Sequence, residues 1–142
     1  MKIFLKNNIL IINFVGNKEN MNLLLDPISN VYEGIMKNRE GHNFPSHYIP
    51  DHHLLSSYKN QCKYVIGIYH PKSIDHEMLH AKYFMENDYR EKIKREWNEL
   101  PESTRNYLTN FLKKLGYSEK VLIDEYQAYK YSEPSNFFGV KL

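Results

Sequence analysis

Cysteine is nearly absent from this sequence: Cys62 stands alone among 142 residues, which excludes an internal disulfide framework and any zinc knuckle built from thiolates. A single thiol points to a reducing compartment such as the cytoplasm. No stretch approaches the roughly 20 apolar residues that a membrane-crossing helix needs, so the reading is a soluble chain with no membrane partner. The opening run MKIFLKNNILIINFVG begins like a signal peptide, but Lys6, Asn7, Asn8 and Asn13 interrupt it, and two strands describe it better. Charge of one sign is lacking as well. The 19 basic residues are scattered among 17 acidic ones, so no block can displace many counterions and no nucleic-acid partner is expected. No low-complexity segment and no internal repeat stands out.

What is present is an ordinary globular composition, 42% hydrophobic and 25% charged, with a high aromatic content of 12 Tyr and 7 Phe. A chain of this length forms one core, so residues 1–142 are read as a single domain. Branched and aromatic residues at Lys2–Leu5 and Ile9–Val15, with Asn7 and Asn8 between them, predict a hairpin or two short strands. Asp26 before Pro27 predicts a helix start, with Ile28, Val31, Tyr32 and Ile35 at helical spacing to about Lys37. Residues 38–60 carry Pro45 and Pro50 and read as mostly loop. KYVIGIY, Lys63–Tyr69, predicts a strand in which Gly67 marks a bulge or a close backbone approach.

Helices follow. One is capped by Ser73 and runs from Ile74 to about Glu86; the next opens at Asn87 or Asp88 and carries Tyr89, Ile93 and Trp97. Another starts at Pro101, with a stripe of Tyr107, Leu108, Phe111, Leu112 and Leu115 ending at Gly116, and the last runs from Glu119 to about Tyr131 after Ser118. A strand-rich first half and a helical second half predict an α+β fold, a small mixed or antiparallel sheet packed on the helix of residues 74–86 and the helices after it.

The chemistry-bearing motif is His76-Glu77-Met78-Leu79-His80. On a helix, residues four apart share a face, so both imidazoles can reach one tetrahedral metal ion. Glu77 lies about 100° round the helix from His76, where a carboxylate can take a proton from water. Chance also produces this pattern, so its surroundings must decide.

Those surroundings are the strand KYVIGIY just before the motif and Asp124-Glu125-Tyr126-Gln127-Ala128-Tyr129 on the last helix. Together they make residues 63–131 resemble the zincin metallopeptidases, in the gluzincin branch, whose downstream helix carries (N/D)-E-x-x-A. The metzincin extension requires Gly at position 83 and His at position 86, where this chain has Tyr83 and Glu86. The resemblance implies one Zn2+ held by His76, His80 and Glu125, with Glu77 as general base in the hydrolysis of a peptide or protein substrate. It also implies that the strand before the motif lies at the sheet edge, where Tyr64, Ile66 and Ile68 would grip an extended substrate.

Thermolysin-like gluzincins carry an Asp four residues after the ligand Glu to orient the first His; here that position is Tyr129. Its hydroxyl is the first choice for oxyanion donor, with Tyr126 and Tyr83 behind it. Asp124, adjacent to Glu125, would exchange with it as ligand on a one-residue register shift, or would support a ligand His from behind. His42, His47, His52 and His53 match no ligand spacing and read as ordinary loop histidines. Two other outcomes remain open: a zinc-stabilised binding domain without activity, and a precursor whose 38–60 segment fills the open metal position. The role of residues 1–60 is left undefined.

Overall fold

In the computed structural model, which describes all 142 residues, the chain opens with a tight hairpin. Strands β1 (Lys2–Lys6) and β2 (Ile9–Asn13) pair antiparallel, with Lys6 opposite Ile9. Asn7 and Asn8 both have positive φ, 52° and 66°. That is the two-residue turn whose twist matches a hairpin, and asparagine tolerates this backbone better than most side chains. The sheet is completed by β3 (Gly41–Pro45) and β4 (Tyr64–Ile68) in the order β1-β2-β4-β3. β4 runs parallel to β2 and antiparallel to β3.

Helix α1 (Lys18–Glu33) follows β2, with the Asn17 side chain accepting a hydrogen bond from the Asn20 amide at its N-terminus. The start expected at Asp26–Pro27 is therefore corrected by nine residues, since Pro27 lies inside the helix. A proline here leaves the carbonyl of residue 23 without its helical donor. Leu23 and Pro27 are both exposed, so water can serve that carbonyl. The helix also ends earlier than expected, at Gly34, whose φ of 112° suits glycine and where an added Cβ would collide with the Gly116 carbonyl.

Residues 38–60, expected to be mostly loop, contain the strand β3. His42 and Asn43 made the segment look polar, but both are buried. The substrate edge expected at Tyr64, Ile66 and Ile68 is no edge. β4 is an interior strand, hydrogen-bonded on both sides, and all five of its residues are buried. A strand covered on both faces and paired on both edges has no free backbone for a peptide.

The two faces of β4 organise the core. Val65 faces α1 in a cluster with Leu10, Ile12, Met21, Leu25, Ile28 and Phe44. Gly67 lies on that face too, and any Cβ there would strike the Leu25 side chain, so the reading as a close approach holds. Tyr64, Ile66 and Ile68 cover the opposite face, packing with Ile9 on Ala81 of α2 (Ile74–Met85). Beyond α2 come α3 (Asn87–Glu99), α4 (Glu102–Lys114) and α5 (Leu122–Ser132), around a second core of Trp97, Leu108, Leu112, Tyr117, Val121, Leu122, Tyr126 and Phe138. Each such large apolar side chain contributes roughly 1.5–3 kcal/mol by leaving water. The result is α+β, a four-stranded mixed sheet packed against five helices, with α2 between the sheet and α5. No helix is long and apolar enough to cross a membrane.

Candidate metal centre

Because Ala81 of α2 faces the sheet, the two histidines one turn apart face α5. His76 Nε2 and His80 Nε2 are 3.3 Å apart, and Glu125 Oε1 lies 3.2 Å from His80 Nε2 and 3.8 Å from His76 Nε2. Ligands about 2.0–2.1 Å from a tetrahedral zinc ion stand about 3.3–3.4 Å from one another, so the three separations bracket that value. This is the only group of three or more His, Cys, Asp or Glu side chains placed to share an ion. His42, His47, His52 and His53 take no part: His42 is buried between Ser29 and Asn22, and His53 Nε2 bonds the Leu24 carbonyl.

The rear of each imidazole is anchored. His80 Nδ1 donates to Asp124 Oδ1 at 2.8 Å, and Gln127 Nε2 donates to the same oxygen at 3.0 Å while also reaching the Leu79 carbonyl. His76 Nδ1 pairs with Ser132 Oγ at 2.9 Å, and that hydroxyl donates to the Ala128 carbonyl. These bonds place the ring proton on Nδ1 in both histidines and leave each Nε2 lone pair free for a metal. The support for His76 expected from the Tyr129 hydroxyl or from elsewhere comes from Ser132, and Asp124 stands behind His80.

Electrostatically the site is a buried acid cluster. Glu77, Asp124 and Glu125 are at most 5% exposed, and Glu125 Oε1 is buried with no hydrogen-bond partner. Burial opposes ionisation of Glu125, yet His80 and His76 outweigh it and hold the carboxyl at about 2. Burial likewise opposes protonation of His80, but Asp124 and Glu125 together raise its pKa well above the ordinary value. A cation at this point is what the surroundings favour, either a proton or a metal ion.

Glu77 sits beside the histidines with Asn43 Nδ2 donating to its Oε2 at 2.9 Å. Burial pushes its carboxyl above the ordinary value, against the pull of His76 and His80. The Tyr129 ring lies on His76, with centroids 4.5 Å apart, and its hydroxyl is paired with the Tyr117 hydroxyl at 2.7 Å. Tyr126 donates its hydroxyl to Glu96. Of the tyrosines chosen as oxyanion donors, Tyr126 is committed to Glu96, Tyr129 shares one hydrogen bond with Tyr117 in which either hydroxyl can donate, and Tyr83 makes no side-chain hydrogen bond.

Sequence reasoning missed Asn43, Gly41, Gln127 and Ser132. Ser132 lies seven residues after Glu125 and so on the same helical face, a spacing that could have marked it. Asn43 carried no such signal, because the strand that holds it was not foreseen. No protein family matches this chain, and no curated protein or solved structure is significantly similar to it.

Proposed function

We propose that this chain is a zinc-dependent peptidase of minimal size, with His76, His80 and Glu125 as metal ligands and Glu77 as general base. The observation that carries the reading is the set of three ligand atoms at tetrahedral spacing, each imidazole anchored from behind at Nδ1. Charge supports it. The buried acids are Glu33, Glu77, Asp124 and Glu125, and the only buried Lys or Arg is Arg39, which donates to Glu33 and Asp26. Buried carboxylates are costly without positive charge beside them, and a divalent cation offsets two negative charges where Glu125 Oε1 has only the two imidazoles near it.

When bound, zinc supplies Lewis acidity, polarising a carbonyl and lowering the pKa of water to about 7. The chain's own residues supply the rest. Asp124 and Ser132 hold the imidazoles in one tautomer, while Glu77 takes a proton from the attacking water and returns it to the departing amine.

The test is Glu77→Gln against wild type, with metal content and hydrolysis of dye-labelled denatured casein measured on the same preparations. The expected result is one zinc per chain in both proteins and turnover only in wild type. Equal turnover in both would end the assignment of Glu77. Burial of Glu77, His80 and Glu125 favours a second reading, a domain that zinc stabilises for binding without hydrolysis. Stoichiometric zinc in a wild-type protein that cleaves nothing would select it.

A further inference from the structure

A glutamate used as a base must present its carboxylate in one pose, although its side chain has three rotatable bonds and loses rotamer entropy when fixed. In this fold the fixing comes from the edge strand β3. Asn43 donates from Nδ2 to Glu77 Oε2 at 2.9 Å, and its own Oδ1 accepts from the Tyr64 hydroxyl at 2.5 Å. Tyr64, Asn43 and Glu77 are all buried, so this chain of donors runs without competing water. The Tyr64 bond leaves Asn43 only its amide protons to offer the carboxylate.

Gly41, two residues earlier on the same face of β3, completes the seat. A Cβ at this position would stand 2.7 Å from Glu77 Oε1, so any side chain there would push the carboxylate out of its present place. The carboxylate therefore rests against bare backbone on one side and is tethered by an amide on the other. Oε2 accepts from Asn43, and Oε1 lies against Gly41.

Resting on the peptidase reading above, we propose that Asn43, seated by Tyr64 and set beside the bare backbone of Gly41, is the positioning residue that holds Glu77 in its working pose. Tyr64 thus acts from beneath the active helix, as a support for Asn43 instead of a contact for substrate. Asn43 touches no reacting atom, and its effect passes entirely through Glu77.

The experiment compares full-length wild type, Asn43→Ala and Tyr64→Phe. Each is scored for kcat and KM on dye-labelled casein, zinc affinity by chelator competition, thermal midpoint, and the 13C resonance of the Glu77 carboxyl, identified by its loss in Glu77→Gln. Asn43→Ala is expected to lower kcat by about 10- to 100-fold, with KM and zinc affinity held within about twofold. Tyr64→Phe, which preserves the core volume, should lower kcat in the same sense by a smaller factor. The Glu77 resonance should move in both variants, with or without zinc. An unmoved resonance or an unchanged kcat in folded Asn43→Ala overturns the proposal. If wild type cleaves no casein, the peptidase reading fails by itself, and a resonance that still moves shows the tether without the chemistry.

Discussion

Asp124 and Glu125 grip the same imidazole from opposite sides: Asp124 Oδ1 lies 2.8 Å from Nδ1 of His80, and Glu125 Oε1 lies 3.2 Å from its Nε2. Consecutive residues on a helix diverge by about 100°, so two neighbouring acids on α5 can divide these tasks between them. One fixes the ring and the other stands with His76 at its open nitrogen. The division explains why a buried acid pair is tolerated: each carboxylate has its own side of an imidazole that the two together hold protonated.

That arrangement ranks the supporting residues. A hydrogen bond to an ionised carboxylate is roughly twice as strong as one between neutral groups. Asp124→Asn should therefore weaken zinc binding by about 10- to 100-fold, and Ser132→Ala, which removes only a hydroxyl from His76, should weaken it less. Competition against a chromophoric chelator measures both. A larger loss in Ser132→Ala than in Asp124→Asn would contradict the ranking.

Zinc should also stabilise the fold, since its ligands come from two helices, α2 and α5, that only the folded chain brings together. At a free zinc concentration one hundred times the dissociation constant the gain is about 2.7 kcal/mol. Thermal unfolding should show a raised midpoint with zinc that disappears on chelation. Glu125→Gln, which keeps the side-chain volume, should lose most of the rise.

How much of this was legible beforehand depended on whether a segment's own chemistry or its neighbours decided its structure. The hairpin could be read because Asn7 and Asn8 are residues that its turn demands, and α2 and α5 because Ser73 and Ser118 stand ahead of them as helix-start residues. The grouping of His76, His80 and Glu125 followed from a pattern with a mechanical reason. β3 could not be read, because His42 and Asn43 look like loop residues until Ser29, Asn22 and Glu77 supply their partners. α1 was begun too late for the same kind of reason. Asp26–Pro27 is a sound local start signal, but Met21 and Leu25 bury fully against the sheet and extend the helix back to Asn17. The place of β4 in the sheet was set by β3, so missing one misplaced the other.

Gly67 makes a sharp test of the sheet's fit to α1. A methyl group there would overlap the Leu25 side chain, which is itself fully buried. Gly67→Ala should cost about 1–3 kcal/mol through overpacking, read as a lower urea midpoint at unchanged slope. A Gly67→Ala, Leu25→Ala double variant should lose less than the sum of the two single losses, because the smaller residue opens the space that the methyl group needs.

Acid should destabilise the fold through His42. His42 is fully buried, with Nδ1 on the Ser29 hydroxyl and Nε2 on Asn22 Oδ1. Asn22 also donates to the Arg39 carbonyl, which fixes its oxygen toward the ring and makes Nε2 the donor. Burial, with the Arg39 charge nearby, pushes the pKa of His42 down to about 3, and Asp26 at 3.8 Å does not reverse this because it is paired with Arg39. An unfolded histidine titrates near 6.5. Between those values the unfolded chain binds a proton that the folded chain refuses, so stability is intact above about pH 6.5 and falls as the pH drops toward 3. At pH 5 the loss is about 2 kcal/mol, from roughly 1.5 pH units at 1.36 kcal/mol each. His42→Gln should be less stable than wild type at pH 7, since its amide replaces the ring imperfectly, yet should lose less on going to pH 5. Urea midpoints of both proteins at the two pH values measure the difference. Parallel losses in the two proteins would show that the acid sensitivity lies in other groups.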